Sequence, residues 1–126
     1  MQPALRGAHQ DLIVWQKAMR LAAQIHDATR RFPRDERFGL LMQMRRAAVS
    51  IPSNLAEGAA RRTTREFLAF LHIARGSQAE LDTQLRLATE FQYLAPECAA
   101  DLLLKTEEVG RLLTALIAAL RRRESR

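Results

Sequence analysis

Apolar residues recur along this chain at steps of three and four, which is the period of one face of an α-helix. The clearest such stripe consists of Leu41, Met44, Ala48, Ile51 and Leu55, and it is followed by Gly58, a residue that favours a helix end. Pro52 lies inside the stripe, where it removes one helical hydrogen bond and crowds the preceding turn. The pattern predicts a helix over about residues 35–60 that is kinked at Pro52. The alternative is two shorter helices, and we favour one helix because the spacing stays in phase across the proline.

A first helix is predicted over about residues 11–31, with Asp11 as its N-cap. Its expected apolar face consists of Leu12, Trp15, Met19, Ala22 and Ile25, with Ala18 beside it. The dipeptide Phe32-Pro33 ends this helix, because the residue before a proline is pushed away from helical angles.

A third helix is predicted from Thr63, which forms a capping-box pattern with Glu66, to about Tyr93. Its apolar positions form a heptad pattern, which is typical of bundle packing: Phe67, Leu71, Ala74, Gln78, Leu81, Leu85 and Ala88. Gly76 lies in the middle of this helix. Because a helical glycine costs up to about 1 kcal/mol relative to alanine, we expect another helix backbone to pass close to it.

A fourth helix is predicted to begin at Pro96. Its apolar stripe is Leu102, Thr106, Val109, Leu113, Leu116 and Leu120, and it is widened by Leu103, Leu112 and Ile117. A face this broad predicts two neighbouring helices or a partner subunit. Four helices with short connections predict an all-α, up-down-up-down four-helix bundle over residues 11–122. We expect residues 1–10 to form a flexible tail and residues 123–126 a basic tail.

Composition agrees with one globular domain, since 48% of the 126 residues are hydrophobic and 27% are charged. The net charge of +6 is carried by eighteen arginines and two lysines. Arginine makes bidentate contacts with phosphate and carboxylate, so this balance fits a nucleic acid or an acidic protein partner. The single cysteine, Cys98, excludes an internal disulfide, and no apolar run is long enough for a membrane span. We therefore expect a cytoplasmic protein that has no membrane contact.

Known catalytic patterns are missing from the sequence. It contains no Gly-rich phosphate loop, no HExxH and no CxxC, and no pair of Glu-x-x-His motifs that would hold a di-iron centre in a bundle. We expect no enzyme activity, no cofactor and no metal. Cys98 is predicted to be a small buried residue.

Three residues near the apolar stripes have predicted structural roles. Glu57 and Glu80 each lie beside an apolar face, and we expect them to be buried in structural ion pairs with Arg45 or Arg46, because a buried carboxylate needs a partner. The alternative is a catalytic role. Asn54 is expected to bond backbone groups near Pro52, since asparagine side chains readily do so.

Basic residues occur in four clusters: Arg30-Arg31-Arg34-Arg37, Arg45-Arg46, Arg61-Arg62-Arg65 and Arg121-Arg122-Arg123. In an up-down bundle the third and fourth clusters share one end, and the first lies at the other. We predict that Arg61, Arg62, Arg65 and residues 121–123 form a phosphate-binding patch. The alternative is a solvated basic end. Aromatic residues available for base stacking are few, which favours backbone binding.

The sequence contains several recognisable motifs: DLIVWQKA at residues 11–18, Phe32-Pro33, Glu36 with Phe38-Gly39-Leu40, Gln43 with RRAA at 45–48, SIPSNLAEG at 50–58, Glu66-Phe67, and Ser77 with Glu80-Leu81. Together they resemble one family, the four-helix-bundle proteins encoded in intervening sequences of bacterial large-subunit ribosomal RNA genes. The accessory protein of diversity-generating retroelements, which works with a reverse transcriptase and binds nucleic acid, is similar. The resemblance implies a basic homopentamer without enzyme activity.

Two functions follow as hypotheses. The first is an oligomeric, non-enzymatic protein that binds the backbone of RNA or DNA through arginine. The second is an interaction scaffold whose basic surface binds an acidic protein. Nuclease treatment separates them, because only the first kind of complex depends on nucleic acid.

Overall fold

The computed structural model describes residues 9–36 and 39–124. Its α-helices are α1 (Ile13–Ala28), α2 (Leu40–Ala59), α3 (Thr64–Glu90) and α4 (Pro96–Glu124). Short 3₁₀ turns occur at His9–Asp11, Thr29–Arg31 and Arg34–Glu36, and the described residues contain no strand. The all-α, four-helix prediction is confirmed. Some of the predictions concern residues outside the described ranges: residues 1–8, residues 125–126, and Arg37 of the first basic cluster.

Neighbouring helices run antiparallel and close the bundle. Ser50 Oγ lies 2.8 Å from Ser77 Oγ, and Gly58, eight residues further along α2, packs on Phe70, seven residues earlier on α3. Helix α4 packs on α3 and also on α1, where Lys17 Nζ lies 3.1 Å from a carboxylate oxygen of Glu108. The broad apolar face of α4 is therefore covered by two neighbouring helices, as expected.

The core is built from the predicted stripes of α2, α3 and α4. In α2 the residues Met44, Ala48, Ile51 and Leu55 are at most 1% exposed. In α3 every predicted position is buried except Gln78, which is half-buried. In α4 every predicted stripe position is buried except Leu116, and Ile117 is buried beside it. The heptad spacing therefore identified the faces that meet.

Helix α1 differs from its prediction at both its face and its start. Its buried residues are Val14, Ala18, Leu21 and Ile25, and the predicted Met19 is 46% exposed. The core side of α1 combines two overlapping apolar stripes: of the predicted one, Ile25 is buried, and Leu12, Trp15 and Ala22 are partly buried against the core. Asp11 is not the N-cap: it belongs to a 3₁₀ turn, and Leu12 occupies the cap position without a side-chain bond.

Pro52 lies inside one continuous helix, so the alternative of two helices is wrong. Asn54 Nδ2 donates to the Ser50 backbone oxygen at 2.8 Å and to Ser50 Oγ at 2.9 Å, which confirms that it bonds backbone near the proline. The predicted first turn of this helix is instead the separate 3₁₀ turn Arg34–Glu36.

The ends of α3 have well-defined caps. Thr63 and Glu66 form the predicted capping box, with Thr63 Oγ1 accepting from the Glu66 amide at 3.1 Å. At the other end, Gln92 has a φ of 63°, and the Tyr93 amide donates to the Ala88 carbonyl at 2.8 Å. This is a Schellman motif with glutamine where glycine is usual, and it ends the helix three residues before the predicted Tyr93.

Two helical glycines have unequal surroundings. An added Cβ on Gly58 would lie 2.8 Å from Phe70 Cβ and 2.9 Å from Phe67 Cδ1, so α2 and α3 approach closely there. An added Cβ on Gly76 would meet nothing within 4 Å. The predicted close approach at Gly76 is therefore wrong within this chain, because Gly76 lies on the outward face of α3, and Gly58 has that role instead.

Candidate nucleic-acid interface

The two predicted arginine clusters lie at the same end of the bundle. Arg61, Arg62 and Arg65 are at the junction of α2 and α3, Arg121–Arg123 are in the last turn of α4, and all six side chains are exposed. Arg121 Nη2 lies 3.0 Å from Nε2 of His72. His72 is about 10 Å along α3 from Arg65, at 1.5 Å per residue. Helix α4 continues through Arg123 and Glu124 rather than ending before them.

Two acidic residues at this end, Glu57 and Glu66, are engaged locally. Arg61 Nη2 is 3.4 Å from a Glu57 carboxylate oxygen, and the Arg61 guanidinium lies 4.8 Å from the centre of the Phe70 ring. The Glu57 side chain is 57% exposed, so its predicted burial is wrong. It is two residues from buried Leu55 and therefore about 200° away around the helix. Glu66 is held in the capping box with Thr63.

The predicted partners of the acidic residues are also different. Glu80 is exposed and accepts from Gln84 Nε2 at 3.4 Å, so its predicted burial is wrong as well. Arg45 instead donates from Nε to Thr29 Oγ1 at 2.8 Å and from Nη2 to the His26 carbonyl at 3.0 Å. Arg45 therefore links α2 to the end of α1.

A shallow groove lies between α3 and α4 near the middle of the bundle. It encloses about 490 Å³. Gln78 Nε2 donates to the Thr106 carbonyl at 3.2 Å, and Gly110 leaves room for it, since a Cβ there would lie 2.7 Å from the Gln78 amide. Arg75 and Arg111 line the two sides of this groove, and among the described residues Glu107 is its one lining carboxylate.

We call the set Arg65, His72, Arg75, Arg111 and Arg121 the groove surface; all five side chains are exposed. The three residues on α3 are spaced by seven and three, so they lie on one helix face. On α4, Arg111 and Arg121 are about 15 Å apart along the helix. At 3.4 Å per nucleotide, that length spans about four phosphates of one strand of DNA.

Sequence reasoning missed His72, Arg75 and Arg111 as parts of this surface. Grouping basic residues into contiguous runs cannot find them, because none of the three belongs to such a run. The signal that identifies them is helical spacing from Arg65, together with the antiparallel alignment of α3 and α4.

A second cleft, of about 810 Å³, lies between α1 and the start of α4. Its lining includes two aspartates, Asp27 and Asp101, and two arginines, Arg30 and Arg31, so its charges balance. Cys98 lines this cleft and is exposed, so its predicted burial is wrong; the neighbouring Ala99 takes the buried position.

Neither a metal centre nor a membrane span is found in the described part of the chain. Within residues 9–36 and 39–124, no three His, Cys, Asp or Glu side chains are grouped so that they could hold a metal ion. Over the same ranges, no helix combines the length and the apolar character that crossing a membrane requires.

Comparison with known proteins identifies the family. The model of the 23S rRNA-intervening sequence protein family matches residues 10–115. A crystal structure of a protein of unknown function from the S23 ribosomal protein family of Bacteroides thetaiotaomicron superposes with a TM-score of 0.79 at 22% identity, covering 84% of this chain and 96% of that one. A search of curated proteins found no match. The fold and the family model agree, and the chain belongs to the 23S rRNA-intervening sequence protein family.

Proposed function

We propose that this protein is a non-enzymatic, cytoplasmic, oligomeric protein that binds the phosphate backbone of RNA or DNA. The observation that carries the proposal is the groove surface, where exposed Arg75 from α3 and exposed Arg111 from α4 line one groove whose described lining has a single carboxylate, Glu107. Arginine suits this role because its guanidinium pairs with phosphate oxygens in a bidentate geometry.

Binding on this surface reads the backbone rather than base sequence. Phe67 is 3% exposed, and the guanidinium of Arg61 covers Phe70. Tyr93 is far from the groove surface, at the other end of α3, and donates its hydroxyl proton to Glu36 at 2.9 Å. Because these rings are not available beside the arginines, base stacking contributes little.

Self-assembly is the second part of the proposal. On the outer face of α2 and α3, Val49 is 55% exposed and Ile73 is 53% exposed. Gly76 lies one turn from Ile73, and within the described residues nothing packs close enough to it to require a glycine. We propose that this face contacts a second copy; the subunit count of five follows from the family resemblance. Repetition of the groove surface would strengthen weak contacts by avidity.

Fluorescence anisotropy with labelled single-stranded RNA and duplex DNA tests the binding proposal. We expect Arg75→Glu/Arg111→Glu to weaken binding to both probes at least about tenfold, since each charge-assisted hydrogen bond is worth about 1.5–3 kcal/mol before screening by salt. The matched control is Arg20→Glu/Lys105→Glu, which reverses two charges on the α1–α4 side. Equal weakening in both variants would contradict the assignment of the groove.

Light scattering tests assembly, with the protein purified in high salt before and after nuclease treatment. A stable pentamer that sheds ultraviolet-absorbing nucleic acid would support both parts of the proposal. A monomer without nucleic acid would contradict both. A complex with another protein that survives nuclease but dissociates in high salt would favour the acidic-partner alternative.

A further inference from the structure

A separate basic cleft lies at the opposite end of the bundle from the groove surface. It is formed where α1 ends, along the following turn, and beside the first half of α2, and it encloses about 680 Å³. Four of its lining residues are basic, and the described lining includes no carboxylate: His26, Arg30, Arg34 and Arg45. The lining is completed by three apolar residues, Phe32, Pro33 and Leu41, so the basic groups surround an apolar patch.

Arg45 is held in a fixed position in this cleft. Its Nε donates to Thr29 Oγ1 at 2.8 Å, and its Nη2 donates to the His26 carbonyl at 3.0 Å. Thr29 is 0% exposed and donates its own proton to the Ile25 carbonyl at 2.8 Å, so its oxygen is oriented to accept from Arg45. A guanidinium has five N–H groups, and these bonds use two of them. The others serve a ligand without the entropy cost of ordering a mobile side chain.

Two groups that would repel an anion here, the His26 carbonyl and the Glu36 carboxylate, are hydrogen-bonded to donors of the chain itself. The end of a helix carries negative carbonyl charge, but Arg45 covers the carbonyl of His26. Both carboxylate oxygens of Glu36 are engaged elsewhere, one by the Leu40 amide at 2.9 Å and one by the Tyr93 hydroxyl at 2.9 Å.

The carboxylate that pairs with a residue of the basic lining competes weakly. Asp27 pairs with Arg30 at 3.3 Å, but the two side chains are 78% and 68% exposed. Exposed pairs of this kind contribute about 0–1 kcal/mol, so Arg30 can exchange Asp27 for a stronger anion.

We infer that this cleft is a phosphate-binding site. Arg45 provides the oriented guanidinium, and Arg30, Arg34 and His26 provide adaptable positive charge at the cleft edge. The cleft volume of about 680 Å³ leaves room for a phosphate carried by a larger molecule, either a free nucleotide or a nucleic-acid strand. Phosphate binding in this cleft does not depend on the groove surface. Only the case in which the phosphate belongs to a nucleic-acid strand rests on the proposed function.

Nuclear magnetic resonance of the full-length protein tests this inference. The probes are inorganic phosphate, adenosine monophosphate and a short oligouridine, each added against sodium chloride of the same ionic strength. We expect saturable shifts of the Arg45 Nε–H and His26 ring signals with phosphate. Stronger binding of the mononucleotide would identify a free nucleotide as the source, and stronger binding of the oligomer would identify a strand.

Two matched variants decide the outcome. Arg30→Gln/Arg34→Gln removes two charges from the cleft, leaves the Arg45 bonds intact, and should raise the dissociation constant for phosphate about tenfold. Arg75→Gln/Arg111→Gln removes two charges from the groove surface and should leave phosphate binding in the cleft unchanged. Absent or non-saturable shifts, or equal weakening in both variants, would overturn the cleft site. Loss of oligouridine binding only in the groove variant would leave the proposed function standing without the cleft.

Discussion

Substituting Gly58 by alanine should destabilise the protein, although alanine is the better helix former. Gly58 has no positive φ, so alanine is conformationally allowed, and only space decides the effect. The new methyl group would lie 2.8 Å from Phe70 Cβ, 2.9 Å from Phe67 Cδ1 and 3.3 Å from the Phe67 carbonyl oxygen. Ordinary carbon–carbon contacts are about 3.5–4.0 Å. Because two of the three atoms belong to or are bonded to the α3 backbone, a side-chain rotation cannot relieve the clash.

The magnitude follows from two opposing terms. Helix propensity favours alanine by up to about 1 kcal/mol. Overpacking costs about 1–3 kcal/mol, and a backbone-attached clash belongs at the upper end. The free energy of unfolding should therefore fall by about 2 kcal/mol. Gly76→Ala is the matched control: with nothing within 4 Å of the new Cβ, it should gain up to about 1 kcal/mol.

Urea unfolding followed by circular dichroism measures both variants, with light scattering to record the association state. The two variants should differ by about 3 kcal/mol in the free energy of unfolding. A Gly58→Ala protein as stable as the wild type would refute the close approach of α2 and α3. If Gly76 lies in a subunit contact, Gly76→Ala should also weaken assembly while the chain itself becomes more stable.

Three further predictions concern the helix ends. Gln92→Gly should raise the free energy of unfolding by about 0.5–1 kcal/mol, because glycine accepts the φ of 63° without steric cost. The hydrogen bond to Glu36 raises the pKa of Tyr93 above its ordinary 10.0. The stabilisation that this bond gives the folded state is present below about pH 10 and is lost as the pH rises through the raised pKa. Tyr93→Phe should therefore flatten the alkaline fall in stability. Thr29→Val should cost about 1–3 kcal/mol, because it leaves the Nε–H of Arg45 without its acceptor.

Control variants and pH–stability curves check these three predictions. Gln92→Ala keeps the positive φ unfavourable and should not stabilise in chemical denaturation. Thr114→Val removes an exposed hydroxyl bonded to the Gly110 carbonyl and should change stability by less than about 0.5 kcal/mol. Identical pH–stability curves for wild type and Tyr93→Phe would contradict the role given to the Tyr93–Glu36 bond.

Sequence predicted helix packing well where one apolar stripe was unambiguous. In α2 the spacing of Met44, Ile51 and Leu55 stays in phase across Pro52, and these side chains are fully buried. In α1 two stripes overlap, and the number of apolar residues alone does not show which one faces the core. The choice depends on how the neighbouring helices are placed, which is a tertiary effect that local periodicity does not contain.

The two glycines show what helical phase, the position of a residue around the helix axis, adds to a prediction from sequence. Gly58 is seven residues after Ile51 and lies on the buried face, whereas Gly76 is two residues after Ala74 and points away from it. Helical phase therefore assigns the close approach to Gly58. Phase also places Arg75 and Arg111 beside the groove, which adjacency along the chain does not. The exposure of Cys98 could not be predicted from its residue type, since a cysteine is usually buried and here the adjacent Ala99 takes the buried position.

The salt dependence of nucleic-acid affinity tests the central claim most directly. The logarithm of the binding constant should fall linearly with the logarithm of salt concentration, with a similar slope for unrelated sequences. In Arg75→Gln/Arg111→Gln the slope should be smaller by about 0.7–0.9 for each phosphate that the protein no longer neutralises. A slope that this variant leaves unchanged, or binding that depends on base sequence and hardly on salt, would contradict backbone recognition by the groove surface.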